Sequence, residues 1–491
     1  MNKFYITTAI PYVNAKPHIG HALEFVQADA VARYHKVLGD ETLLLSGGDE
    51  NALKNVQAAE EAKIPVKEFV DENSQLFADL AKKLHVQFDI FQKGSAEKHH
   101  LSSQKLWELC KKGGDIYQKE YTGLYCVGCE VFYEKEELNE NKECFEHPGR
   151  KLEEVSERNY FFEVSERNYF FRLSKYQDKI LELLESDSVQ IIPKTRQNEA
   201  LSFVKQGLKD ISISRSNERA KNWGVQVPGD PTQRIYVWFD ALNIYQSGVG
   251  FDWDNKLYKK WWPADLHVIG KGILRFHAVY WPAFLLSASL SLPKTIFVHG
   301  YLTVDGQKMS KTVGNVIDPL EFINAYGVDA LRYYLLREIP STGDGDFSKN
   351  RFKEVYNADL ANGLGNLVSR VAKLCETANY THLGSKEGIS AHLIAIEGYS
   401  EALSEFRFHD ALSFVWKKIS ELDKFINSEK PWELLKTNSQ RLKAILSHSV
   451  DQIQEIAALL EPFLPETAKK IESQFKGPKI TVQPPLFQRI K

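Results

Sequence analysis

The sequence predicts an α/β domain built on a parallel sheet, followed by an all-α helical bundle. Three observations carry that expectation. The N-terminus runs strand, turn, helix, strand: KFYITTAI, then PYVNAKP, then a helix over 18–38 with apolar Ile19, Leu23, Val26, Ala30 and Tyr34, then ETLLLS at 41–46. That order opens a parallel α/β sheet. A second strand, turn and helix recur in LHVIGKGILRFHAVYWPAFLL (266–286). From 351 onward, ADLANGLGNLVSRVAKL, FHDALSFVWKKISELDKFINSEKPW and HSVDQIQEIAALLEPFLPETAKKI have the apolar spacing of bundle helices and no strand alternation.

The bulk numbers set limits. A chain of 491 residues should hold two to four domains. The 43% hydrophobic and 26% charged fractions fit a globular protein. No apolar run approaches 18 residues, so no membrane span is expected. MNKFYITTAIPYV enters a strand directly and lacks a signal-peptide layout, which predicts a cytoplasmic location. A net charge of −3 argues against a generally basic nucleic-acid binder, although local patches decide RNA binding.

After the second strand comes GGDENALKN, which puts Asp49 beyond a strand C-terminus, where ligand groups of open α/β sheets gather. A helix N-cap acid is the plainer reading. Residues 55–112 read as largely helical. IYVWFDA (235–241) reads as a strand on its aromatic and β-branched content, and PKTIFVHGYLTVDG (293–306) as another. Ile273, His277 and Trp281 recur every four residues and should share a helix face, by default a core stripe with a buried histidine. VQPPLFQRIK should pack back as a tail.

Three of the five cysteines cluster. Cys126 and Cys129 make a C-x2-C knuckle, and Cys144 and His147 a C-x2-H knuckle, with 14 residues between the pairs. Two knuckles of this kind complete a tetrahedral Zn2+ site of three thiolates and one imidazole, closed and therefore structural. Unlinked surface cysteines are the weaker reading. The spacing does not fit a two-histidine DNA-binding finger. An internal repeat follows: EVSERNYFF at 154–162 and again at 163–171. Two short copies are no solenoid. An odd-numbered insert cannot extend one strand without a bulge or loop, so a looped-out local duplication is expected.

Two stretches hold the chemistry. IPYVNAKPHIGHALE (10–24) places His18 and His21 around Gly20 at a helix start. HGYLTVDGQKMSKTVGN (299–315) places Lys308 and Lys311 in a polar loop, 290 positions after His18 for the first of them. A glycine at a helix start lets an anion approach backbone, and paired lysines suit a polyphosphate. Read alone, the first could be a metal pair and the second a solvated basic loop. The Glu of an HExxH metalloprotease is missing.

In this order the two resemble the HIGH and KMSKS signatures of class I aminoacyl-tRNA synthetases, with Thr312 ending the second. The surrounding residues are similar to methionyl-tRNA synthetases over essentially the whole chain. The resemblance implies a Rossmann-type parallel-sheet catalytic domain with a zinc-knuckle insertion, followed by an all-α helical-bundle anticodon-binding domain. It implies catalytic halves at 1–115 and 179–325, the insertion at 116–178, a stem-contact region at 326–350 and the anticodon domain at 351–491. It implies ATP with Mg2+, methionine and tRNA(Met) as partners, one structural Zn2+, and a monomer.

By the same resemblance, His18, His21, Lys308 and Lys311 are catalytic, and Gly20, Glu24, Gly270, Lys308, Ser310 and Lys311 bind ATP. Methionine would contact Ala9, Ile10, Tyr12, Asp49, Trp238, Ala241, Tyr245, Ile273, His277 and Trp281, with Tyr245 or His277 bonding the sulfur. Asn366, Arg370, Pro431 and Trp432 match anticodon-reading positions, although a lone Trp is more often core. The chain departs from the family at Asn51-Ala52, where His-Gly is usual, and at Leu242, where Pro is expected. About 50 residues of insertion leave no room for a large editing domain, which favours methionine over the branched amino acids. The rival expectations are a class I ligase for another amino acid and a noncatalytic tRNA-binding relative.

Overall fold

A computed structural model gives the fold and describes residues 2–126, 131–133, 140, 143, 163–309, 314–382, 396–436 and 439–490. The first half builds β1 (Lys3–Thr8), α1 (Ile19–Val37), β2 (Glu41–Gly48), α2 (Leu53–Ala62), α3 (Val66–Lys83), β3 (Ile90–Lys93) and α4 (Glu97–Lys112). Then come β4 (Ile116–Cys126), β5 (Val131–Tyr133), β6 (Glu163–Phe171), α5 (Gln177–Glu185), β7 (Gln190–Ile192) and α6 (Lys194–Lys205). The second half carries the short strands β8 (Ile211–Ser212), β9 (Ser214–Ser216), β10 (Gln226–Val227) and β11 (Asp230–Ile235), then α7 (Val237–Leu242), α8 (Ile244–Ser247) and α9 (Asn255–Trp261). β12 (Leu266–Gly270), α10 (Trp281–Ser287) and β13 (Thr295–His299) follow, with β14 (Leu302–Val304), β15 (Gln307–Lys308), α11 (Pro319–Tyr326), α12 (Val328–Arg337) and β16 (Gly345–Phe347) after them.

The central sheet has the order β3-β2-β1-β12-β13-β7, all parallel. Chain direction across the sheet reverses between β1 and β12. Ligand crevices of open α/β sheets lie at such a point, beyond the strand C-termini. Both faces of the sheet are covered, so its strands alternate between two apolar cores. Ile6, Leu44, Val268 and Phe297 face one core, which runs without a break into the C-terminal helices. Tyr5, Leu43, Leu45, Ile269, Ile296 and Val298 face the other, which encloses α7, α8 and α10.

One sequence expectation, the largely helical 55–112, holds with a refinement, and three are corrected. β3 interrupts the helical run of 55–112; it is a four-residue, half-polar strand at the sheet edge, too short to leave a periodic signal. The IYVWFDA strand ends at Ile235, and Val237–Leu242 is helical with every residue buried. PKTIFVHGYLTVDG is two strands in two sheets, because Gly300 turns the chain where a Cβ would stand 2.0 Å from the Gly343 carbonyl oxygen. A π-helical turn over Phe276–Tyr280 separates Ile273 from Trp281, so the three residues do not share one α-helical face.

The repeat is settled for one copy. The second, Glu163–Phe171, pairs antiparallel with β4 in an unbroken register from Leu124 opposite Glu163 to Ile116 opposite Phe171. The first copy lies outside the described residues. The helical region includes Asn366–Thr377, Phe408–Glu429 and Ser439–Leu460. The tail packs back as expected: Phe487 is buried against Tyr356, and Ile490 exchanges backbone hydrogen bonds with the Asn357 side chain at 2.9 and 3.0 Å. Among the described residues no helix is long and apolar enough to cross a membrane.

Candidate active site

The predicted site residues gather at the C-terminal edge of the sheet. Ala9 and Ile10 follow β1, Asp49 follows β2, Gly270 ends β12 and His299 ends β13. His18 is the N-cap of α1 and makes a reciprocal capping pair with His21. The Gly20 N–H donates to His18 Nδ1 at 3.1 Å, and the His18 N–H donates to His21 Nδ1 at 3.2 Å. Each Nδ1 is therefore an acceptor, and a neutral ring must carry its proton on Nε2. Burial lowers the pKa of His18; burial and the neighbouring His18 and His299 push His21 well below the ordinary range. At neutral pH both rings are uncharged N–H donors.

Gly20 has a local reason. A Cβ there would stand 2.9 Å from His18 Cε1, so the missing side chain admits the folded-back ring. The same Cβ would stand 3.7 Å from Met309 Cε, which sets the second signature against the first. The Ile19 N–H bonds the Ile317 carbonyl at 3.1 Å, and Asn315 Nδ2 bonds the Lys308 carbonyl at 3.2 Å, which ties the loop's flanks. Lys308 is exposed; Ser310 and Lys311 lie outside the described residues.

Glu24 is buried one turn beyond His21, and its Oε2 meets His299 Nε2 at 2.9 Å. His299 Nδ1 donates to the Gly300 carbonyl at 2.8 Å, so one proton must lie between Nε2 and the carboxylate. Burial raises the Glu24 pKa, and His299 opposes that rise. A Cβ on Gly270 would stand 3.4 Å from the His299 ring, which joins Gly270 to this group. Sequence reasoning assigned no role to His299. Its place at a strand end in the stretch before Lys308 was the available signal.

The amino-acid residues form a second, connected set. Tyr12 and Asp49 are bridged backbone to backbone, and the Asp49 N–H donates to the Pro11 carbonyl at 2.9 Å. The Tyr12 ring meets Trp238 edge-on at 6.5 Å, and Trp238 stacks on Phe276 at 3.8 Å. Tyr245 and His277 are buried and bonded at 2.8 Å, and His277 Nδ1 donates to the Ile273 carbonyl at 2.9 Å. His277 Nε2 is thus an acceptor, and the Tyr245 hydroxyl donates to it. In this ligand-free state each group spends its proton on a protein partner. Burial, with the Glu24 and Asp49 carboxylates nearby, holds the Tyr245 phenol well above its usual pKa.

His267, unremarked in the sequence, packs its ring tilted against Tyr245 at 4.5 Å and bonds Thr7. Trp281 is fully buried, and its ring partner is Trp262 at 5.9 Å. Ala9, Ala241 and Leu242 are buried in the same region, Leu242 in the expected proline's place.

These buried imidazoles make stability pH-dependent. Burial takes His277 down to about 4, against the Ile273 carbonyl that favours its charged form. An unfolded imidazole protonates near pH 6.5. Between those values the unfolded chain binds more protons, so stability falls as pH falls. By pH 5 the loss from His277 alone is about 2 kcal/mol. Thermal midpoints at pH 7.5 and 5.0 should differ accordingly, and by less in His277→Gln.

The anticodon candidates are displayed on the helical region. Asn366 opens Asn366–Thr377 and is exposed; Arg370, one turn on, pairs with Asp423 at 3.4 Å. Pro431 starts a short helix and is buried, while Trp432 is 44% exposed. That exposure overrules the core reading of Trp432. Of the metal candidates, Cys126 ends β4, while Cys129, Cys144 and His147 lie outside the described residues.

The model of class I (M) tRNA synthetases matches residues 4–372. The methionine–tRNA ligase of Brucella suis biovar 1 is 41% identical over 479 residues, covering 96% of this chain and 91% of that one. The methionine–tRNA ligase of Thermotoga maritima is 40% identical over 480 residues, covering 96% and 74%. Among solved structures, Mycobacterium tuberculosis methionyl-tRNA synthetase in complex with methionyl-adenylate aligns over 100% of both chains, with a TM-score of 0.89 and 38% identity.

Proposed function

The chain belongs to the class I methionyl-tRNA synthetases, and on that premise we propose how its residues divide the reaction. The enzyme is a methionine–tRNA ligase. The methionine carboxylate attacks the α-phosphorus of ATP, the bond to the β-phosphate oxygen breaks, and methionyl-adenylate and pyrophosphate result. The terminal ribose hydroxyl of tRNA(Met) then takes the methionyl group and AMP leaves. A carboxylate is already a nucleophile at neutral pH, so the first step needs positioning and charge neutralisation rather than a general base.

One observation carries the assignment of residues: Met309 lies over Gly20, which brings the two signatures together beside the half-buried Tyr12 and the buried Asp49, Trp238 and Tyr245. His18 and His21 donate Nε2–H to phosphate oxygens. Lys308, Ser310 and Lys311 hold the β- and γ-phosphates, where negative charge builds as pyrophosphate leaves. Glu24, Gly270 and His299 line the nucleotide side, and Mg2+ accompanies ATP. Asp49 receives the methionine ammonium. Ala9, Ile10, Tyr12, Trp238, Ala241, Tyr245, Ile273, His277 and Trp281 surround its side chain, a polarisable thioether suited to an aromatic wall.

The same reading keeps 1–115 and 179–325 as catalytic halves and 351–491 as the anticodon domain. Cys126, Cys129, Cys144 and His147 hold a closed structural Zn2+ in the insertion, on the chemistry of the donor set, and metal analysis of the purified protein checks it. The enzyme works as a cytoplasmic monomer, which light scattering and fractionation test.

The tRNA half is tested by charging. Purified protein should attach labelled methionine to tRNA carrying a CAU anticodon. Retention of that tRNA without charging would replace this reading with a noncatalytic one. Trp432→Ala should lower charging by about tenfold, the loss of one base-stacking platform, and leave pyrophosphate exchange unchanged. Unaltered charging would remove Trp432 from the tRNA surface.

A further inference from the structure

The departure at Asn51 has a specific partner. Asn51 is 8% exposed, and its Nδ2 donates twice: to Asp240 Oδ2 at 2.7 Å and to the Gly94 carbonyl at 2.8 Å. Asp240 is buried on α7, two residues after Trp238. Its Oδ1 accepts from Ser103 Oγ at 2.7 Å and lies 2.9 Å from His99 Nε2. Ser103 in turn accepts from Asn243 Nδ2 at 3.2 Å. Burial alone would raise the Asp240 pKa; His99, His100 and Asn51 together bring it below the ordinary value, so the group is a carboxylate.

The segment that carries Asp49 is pinned from every side. Asn55 Nδ2 donates to the Asp49 carbonyl at 2.7 Å, and Trp223 Nε1 to the Glu50 carbonyl at 2.8 Å. The buried Glu50 carboxylate accepts from Ser74 and from Ser95 N–H and Oγ, the latter two at 2.9 and 2.6 Å. Within this cage the Asn51–Asp240 bond links directly to α7. It spans 189 positions of sequence and joins the segment of Asp49 to the helix of Trp238 and Ala241.

We propose that Asn51 and Asp240 are positioning residues that hold the two walls of the amino-acid site in register. Asn51 thereby supplies a donor at the position where the family usually has histidine. The inference rests on the methionine reading above. Neither residue needs to touch substrate: Asn51 acts through Asp49, and Asp240 through Trp238.

The test adds a negative charge at the bond. Asn51→Asp sets a second carboxylate against Asp240, and two carboxylates at that distance share one proton. The groups facing the pair are His99 and His100 from α4, with Arg234 of β11 beside His100. The strut then closes only when protonated. The methionine KM of Asn51→Asp should rise by about tenfold or more between pH 6 and pH 8, with the ATP KM within about twofold throughout. Asn51→Ala, which adds no charge, should raise the methionine KM several-fold without that pH dependence, and it serves where Asn51→Asp does not fold. A methionine KM that is unaltered in both, or ATP and methionine KM values that rise together, would overturn the proposal. Wild-type protein without methionine-dependent exchange would instead overturn the reading on which it rests.

Discussion

Replacing His21 by alanine should slow methionyl-adenylate formation by about 10²- to 10³-fold, the usual effect of deleting one donor to developing charge. The methionine KM should stay within about threefold, since the ring lies on the nucleotide side. The argument starts from the capping geometry. His21 Nδ1 accepts the His18 N–H at 3.2 Å, which fixes the proton on Nε2. Phe77 meets the ring edge-on at 5.0 Å and leaves it little freedom. Burial holds the ring neutral, so its donor role persists as pH falls through 6.5, where an exposed histidine would charge. Loss of the cap costs about 1 kcal/mol of stability, too little to unfold the domain. Rapid-quench measurement of single-turnover adenylate formation reads the effect, and an unchanged rate would remove His21 from the machinery.

The second large effect is on stability. Arg332 on α12 is fully buried. It donates to the Phe463, Pro462 and Leu84 carbonyls at 2.7, 3.1 and 3.1 Å and pairs with Asp29 at 2.8 Å. Asp29 lies on α1 two turns beyond the histidines and also pairs with Arg33, which reaches Glu461. This hub fastens the helix that starts at the site to the chain between the last two bundle helices. Arg332→Leu removes a fully buried cation and its hydrogen bonds to three carbonyls, and leaves Asp29 with Arg33 as its remaining cation. Breaking a buried pair this way costs about 3–5 kcal/mol. The urea midpoint should fall sharply, because the hub's carbonyls lose their donors and Asp29 loses one of its two cations. A midpoint within experimental scatter of the parent would contradict the hub.

Those two effects mark where sequence reading reached and where it stopped. His18, Gly20 and His21 are legible because a helix start is local: the capping pair spans four residues. The parallel sheet was legible from strand, turn and helix succession. The hub was not, because Arg332 reads as one charge on an amphipathic helix, and its partners stand 130 to 303 positions away. The Glu24–His299 contact crosses 275 positions and the Asn51–Asp240 bond 189. α7 was misread because Tyr236–Leu242 is apolar or aromatic almost throughout and buried on every side, so neither period shows. The Tyr245–His277 bond shows the limit for chemistry. Composition identifies an aromatic, polar pocket, while the direction of the proton between Tyr245 and His277 follows only from the Ile273 carbonyl that fixes His277.

The most direct test is amino-acid-dependent exchange of labelled pyrophosphate into ATP by the purified protein, with methionine against leucine, valine, isoleucine and cysteine. The account predicts exchange with methionine alone, since the Tyr12, Trp238, Tyr245 and His277 pocket and the His18, His21 and Lys308 group must act on one bound pair of substrates. Exchange driven as well by another of these amino acids, or by none of them in a folded protein, would contradict it.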